Sequence, residues 1–191
     1  MKLNIEGAIQ IEIPSEFKTY VSEEHFANCI QCGCHLLDDD KEYFIEKIVK
    51  DNQVELEYAI CTDCMEKVDI KLSDESKENI KNFMESRSTN MISNLILMDT
   101  GETDYKKWLE SCIVTGEPFA NDDEYQIAAH CVGKKMVLSI MPYKISFKAM
   151  EQMQDLLSAQ TKEELDNFKK QNLDLPPELF QMLTKKPFVF V

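Results

Sequence analysis

Two pairs of cysteines share one spacing, Cys29-Ile-Gln-Cys32 and Cys61-Thr-Asp-Cys64, and nothing else in the chain constrains its fold as strongly. Two residues between paired cysteines let both sulfurs reach one ion from a tight turn. Two such pairs supply the four thiolates of a closed, tetrahedral zinc site. The 28 residues between Cys32 and Cys61 must then leave the site and return to it, as a hairpin does. Gly33 follows the first pair, where a turn of this kind calls for a positive φ. The spacing assigns structural Zn2+ to Cys29, Cys32, Cys61 and Cys64. Cys34 and His35 stand beside the first pair as alternative ligands that depart from the spacing. Four cysteines also hold iron, and spacing does not separate the two metals. A redox dithiol at Cys61 and Cys64 would need a thioredoxin-like βαβ context, which the pattern lacks.

The rest of the N-terminal half is readable around this site. Leu3, Ile5, Ile9, Ile11 and Ile13 alternate as one face of a strand or short hairpin, with a bulge or turn at Gly7 and a stop at Pro14. Residues 15–27 are assigned a short helix. Residues 42–60 read as a hairpin turning at Asp51-Asn52, residue types that bond their own backbone and favour turns. Ser73 caps a helix running to about residue 92, with Ile80, Phe83, Met84 and Met91 near helical spacing. The run from Asp99 to Asp104 breaks the pattern and marks a boundary.

Beyond it, a short segment surrounds Trp108, and residues 124–141 are β-rich up to Pro142. Ser146 caps a helix presenting Met150, Met153 and Leu157. Thr161-Lys-Glu-Glu164 has the form of a capping box for the next helix, with Leu165 and Phe168 facing inward. Pro176-Pro177 opens a last helix, and the tail Phe188–Val191 is apolar.

Cys29, Cys32, Gly33, Cys61 and Cys64 together resemble the treble-clef and zinc-ribbon modules, over roughly residues 27–90. Met65 stands where a second ribbon knuckle would have glycine. This favours the treble clef, whose second pair opens a helix and gains from its free amides. Val68, Ile70 and Leu72 alternate, so a strand after Cys64 is the competing reading. The resemblance implies a structural zinc and no particular activity.

A fainter copy follows. Cys112-Ile-Val-Thr-Gly116 matches Cys29-Ile-Gln-Cys-Gly33, and Glu124-Tyr-Gln-Ile-Ala-Ala-His-Cys131 matches Glu57-Tyr-Ala-Ile-Cys-Thr-Asp-Cys64. Aligned this way, Thr115 falls on Cys32, Ala128 on Cys61 and Cys131 on Cys64, and Cys112 should lie near Cys131. The fold class expected is α+β. A treble-clef-like zinc module over residues 1–95 is followed by a degenerate, metal-free second module over 105–191 that ends in helices.

Charge and composition bound the function. The net charge is −14, with 10 basic and 20 acidic residues in 1–90 against 11 and 15 in 91–191. Nucleic-acid affinity rests on neutralising phosphates with Lys and Arg, so the cysteine-rich half is the worse half for it. No apolar run approaches the roughly 20 residues that span a bilayer, and the N-terminus lacks a signal-peptide stretch, so the expected location is the cytoplasm. Clustered cysteines there are metal ligands more often than disulfides. With three histidines and five unclustered glycines, neither a catalytic triad nor a phosphate loop is visible. Cys112 with His130 lacks an orienting third group. The expectation is a zinc-stabilised protein-binding or adaptor module, and not an enzyme. An enzyme with its site between the halves is the second reading, and nucleic-acid binding the third.

Overall fold

The computed structural model describes residues 7–67, 72–85, 88–119 and 124–172. It shows mixed helix and antiparallel sheet. Strand β1 (Ile9–Glu12) is followed by the hairpin β2 (Glu42–Lys50) and β3 (Gln53–Cys61), then helices α1 (Thr62–Lys67), α2 (Asp74–Glu85) and α3 (Ser88–Asp99). Strands β4 (Tyr125–Val132), β5 (Lys135–Leu138) and β6 (Tyr143–Ser146) and helices α4 (Phe147–Asp155) and α5 (Ala159–Asn172) complete it. The sheet runs β1-β5-β4-β2-β3, with β6 also on β4. Strands from both halves of the chain thus pair in one sheet.

The hairpin forms where the sequence places it. Asp51 and Asn52 both take positive φ, 49° and 59°, the conformation that a two-residue hairpin turn with matching twist requires. β2 then lies between β3 and β4, and seven of its nine residues are buried. A central strand covered on both faces loses the in–out alternation of a half-solvated one. That burial includes Lys47, whose ammonium lies 3.0 Å from Glu57, donates to the Lys18 carbonyl and sits over the Phe26 ring. Buried apolar residues from both halves, among them Phe17, Tyr43, Ile60, Trp108, Met136 and Met150, form one cluster.

The edge of β4 away from β2 is shared. Residues 130–132 pair with β5, and residues 125–128 pair with β6.

Several local readings change. Only Ser15–Phe17 of the expected 15–27 helix is helical, as one 3₁₀ turn, and the rest is turn and loop. The helix from Ser73 ends at Glu85 and a separate α3 begins at Ser88. Ser73 does bind the Ser76 amide at 3.2 Å, as a cap should. Thr161 is not a cap but is fully buried inside α5, and the capping hydroxyl belongs to Ser158, which accepts from the Thr161 amide. Thr161 instead joins Ser73 and Ser76 in a hydroxyl network that ties α5 to α2. Ser146 caps α4 through the Ala149 amide at 3.2 Å, as expected, with Met150 buried beneath it. The Pro176-Pro177 helix, the 188–191 tail and the alternation at 68–72, apart from Leu72, lie outside the described residues. So do the side chains of Met84, Met91, Leu165 and Phe168.

Candidate metal centre

The first cysteine pair sits in a tight turn between the Asn28–His35 bridge partners. The Cys29 amide donates to Cys34 O at 2.9 Å and the Gly33 amide to Cys29 O at 2.9 Å. Gly33 has φ +70°, which closes the turn, as its position after Cys32 suggests. The turn is fastened to the hairpin by the Ile30 amide, which donates to Ala59 O at 2.9 Å. Two residues on, β3 ends at Cys61, whose amide points at the Cys29 sulfur, 3.4 Å away. Helix α1 starts at the next residue and carries Cys64 in its first turn. Helix α1 therefore follows Cys61 directly, and the competing strand at residues 68–72 lies, Leu72 apart, outside the described residues.

The sulfurs of Cys29, Cys32, Cys34 and Cys61 all lie within 4.8 Å of one another, a grouping that could hold a metal ion. The Cys32 and Cys61 sulfurs are 3.8 Å apart. Zinc–sulfur bonds of about 2.3 Å at tetrahedral angles would separate sulfurs by about 3.8 Å. Cys64 is buried, and its thiol interacts with those of Cys32 and Cys61. The structure thus groups Cys34 with Cys29, Cys32 and Cys61, and Cys64 lies beside that group rather than in it. His35 does not join them, and its Nδ1 lies 3.4 Å from the Asp38 carboxylate.

Electrostatics fit a cation site. The Cys34 amide pulls the Cys32 thiol down to about 6. Burial, aided by the neighbouring sulfurs, pushes Cys34 up to about 12 and raises Cys61 and Cys64 as well. Thiols this close cannot all ionise in isolation, and a divalent cation removes the obstacle by deprotonating each sulfur it binds. Sulfur donors of this kind suit a soft or borderline metal ion.

Of the other residues singled out, Cys112 and Cys131 do not meet. Cys131 lies within β4 opposite Tyr43 and Met136, and its thiol adjoins Tyr43. Cys112 belongs to a separate turn that bridges to Lys144 of β6. The alignment of Ala128 and Cys131 with Cys61 and Cys64 is thereby overturned, because residues 125–132 are a continuous strand where residues 61–64 turn into a helix. His130, which with Cys112 lacks an orienting third group in the sequence, is fully buried, stacks on Phe44 and has Glu42 3.4 Å from Nε2.

One buried carboxyl gave no signal in the sequence. Glu46 is wholly inside the sheet, where Tyr58 donates to it at 2.6 Å and Gln126 at 3.0 Å. Burial raises its pKa to about 8. Its place in a run of strand residues otherwise read as a hairpin concealed it. Among the described residues, a cleft of about 330 Å³ is lined by Cys112, Glu117, Phe119, Glu124, Ser146 and Phe147, and Glu46 does not line it.

No helix among the described residues is long and apolar enough to cross a membrane. Comparison with known proteins returns no match, whether to a family model, to a curated protein or to a solved structure.

Proposed function

We propose that the chain is a zinc-stabilised protein whose metal, held by Cys29, Cys32, Cys61 and Cys64, fastens a treble-clef-like module, and that the molecule works by binding another protein. The convergence of the sulfurs carries this reading. The order turn, hairpin, helix, with one cysteine pair in the turn and the other at the helix start, supports the treble clef. Cys34 is the rival fourth ligand, since its sulfur lies inside the cluster. Cys64 is favoured because it completes the second CxxC pair, is buried, and its thiol adjoins those of Cys32 and Cys61. Zinc content of the Cys34→Ser and Cys64→Ser variants decides between them. The expected result is one zinc per chain retained in the first and lost in the second; wild-type protein purified without metal removes the reading altogether.

The cytoplasm, where thiols stay reduced, suits such a site. The second, metal-free module belongs to the same proposal, on a correspondence of residues that differs from the one the sequence suggests. Support for protein binding comes from α3. Ile92, Leu95 and Ile96 form one helical stripe and are 47%, 42% and 54% exposed. Photo-crosslinkers at Ile92 and Ile96 should trap one common partner, and one placed at exposed Lys148 should not. Absence of a shared adduct ends the binding claim and leaves the zinc claim standing. The enzyme reading has only the Cys112 cleft to occupy among the described residues, and the perturbed carboxyl of Glu46 lies outside it. The acidic charge continues to weigh against nucleic acid.

A further inference from the structure

The turn at Cys112 repeats the principal backbone bonds of the turn at Cys29. The Cys112 amide donates to Glu117 O at 2.9 Å, and the Gly116 amide donates to Cys112 O at 2.8 Å. Gly116 has φ +73°, against +70° at Gly33. Ser111 and Pro118 bridge as Asn28 and His35 do. The Ile113 amide donates to Lys144 O at 2.9 Å, as Ile30 does to Ala59 O.

The match extends to the strand and helix that close the site. Two residues after Ala59 comes Cys61 and then α1; two residues after Lys144 comes Ser146 and then α4. The Ser146 amide points at the Cys112 sulfur at 3.5 Å, where the Cys61 amide points at Cys29 at 3.4 Å. Three residues into each helix, the Ala149 amide donates to Ser146 Oγ and the Cys64 amide to the Cys61 sulfur.

Strand register gives an independent check. Cys61 faces Tyr43 and Tyr58 faces Glu46. Ser146 faces Tyr125 and Tyr143 faces Ala128. Both pairs of tyrosines therefore correspond, and Glu46 corresponds to Ala128. Those two residues are also direct partners across β2 and β4. A residue paired with its own counterpart marks a local two-fold relation between antiparallel strands, so the two hairpins are joined as two copies of one unit would be.

We infer that residues 111–149 are a second copy of the 28–64 module, that Cys112, Thr115, Ser146 and Ala149 occupy the places of Cys29, Cys32, Cys61 and Cys64, and that this is a latent zinc site which three substitutions would restore. The inference rests on the zinc reading of the first copy. In the natural chain, hydrogen bonds do the fastening. The Cys112 sulfur accepts from the Ser146 amide, from Ser146 Oγ at 3.6 Å and from Thr115. Burial opposes ionisation of this thiol, but the donors outweigh it and its pKa falls below the ordinary value. Ala149 is buried, and Cys112 and Ser146 also line the 330 Å³ cleft, so there is free volume beside the site.

The test is metal stoichiometry of the full chain carrying Thr115→Cys, Ser146→Cys and Ala149→Cys together, loaded with zinc alone. The expected result is one more zinc per chain than wild type, with cobalt substitution adding a second set of tetrahedral thiolate bands. A variant with unchanged secondary structure and no added metal overturns the inference. The pair Thr115→Cys with Ala128→Cys, which follows the sequence alignment through Cys131, should add none; a gain there overturns it too. The single variant Ser146→Cys guards against a triple variant that does not fold. Mild oxidation should link its new thiol to Cys112, readable by peptide mass, and failure of that link rejects the correspondence. Wild-type metal content separately reports on the first site, so the two readings can fail apart.

Discussion

The two turns at Cys29 and Cys112 have the same backbone bonds and different chemistry inside them. The first gathers the sulfurs of Cys29, Cys32, Cys34 and Cys61 about its hydrogen-bonded frame. The second keeps one thiol and meets it with an amide and hydroxyls. The contrast teaches that the frame and the metal are separable. Backbone hydrogen bonds and a glycine at positive φ set the turn, and either a cation or a set of neutral donors can occupy its centre. The same sheet then carries both solutions, one at each end of the β2–β4 pair.

Metal removal should separate the two regions most sharply. Structural zinc contributes on the order of 10 kcal/mol to folding a small module. Strong chelation is expected to raise amide exchange at residues 28–36 and 61–67 first, while residues 111–117 and 144–149 stay protected. Simultaneous exposure of both turns would show that the shared sheet couples them more strongly than the metal distinguishes them.

Glu46, on the local two-fold relation, breaks the symmetry, since Ala128 is its counterpart. Its folded pKa of about 8 lies above the ordinary carboxyl value of 4.5. The protonated carboxyl is the form the fold favours. Its stabilising contribution is therefore complete below about pH 4.5 and is lost as pH rises towards 8. Glu46→Gln keeps a neutral polar group and should flatten this slope, with a gain on the order of 3 kcal/mol at pH 8. Denaturant unfolding at pH 5, 6.5 and 8 checks it; parallel wild-type and variant curves would mean Glu46 is not buried as a neutral acid.

Glycine substitutions compare the two turns directly. A Cβ at Gly33 would meet nothing within 4 Å, so Gly33→Ala tests the backbone alone. Alanine at φ near +70° costs about 1–2 kcal/mol. Gly33→Ala and Gly116→Ala should lower stability by similar amounts, and only the first should weaken zinc retention in a chelator competition. Equal zinc loss in both would tie the second turn to the metal.

The smallest effect is expected at the Ser146 hydroxyl. Ser146→Ala removes the α4 cap and one donor to Cys112, at about 1 kcal/mol. It should also make Cys112 less readily ionised, which the pH dependence of thiol alkylation measures. A change in stability without a change in alkylation would leave Ser146 as a cap only.

The sequence determined the features that act over short range. The two CxxC spacings, the Asp51-Asn52 turn, the positive φ at Gly33 and the Ser146 cap each depend on neighbours a few residues away, and each was legible. Thr161 was misread because a buried hydroxyl network, not the local capping pattern, fixes it. The second copy was half legible. Its turn was visible in Cys112 and Gly116, but its closing strand was sought at residues 124–131, where the side-chain letters match. Tertiary structure placed it at 143–149 instead. The strand that fastens the turn is chosen by backbone pairing, and β5 intervenes along β4 before β6 supplies it. A hydrogen bond from Ile113 to a main-chain carbonyl leaves no mark on residue identity, so only the folded chain could reveal that Ser146, not Ala128, stands where Cys61 does.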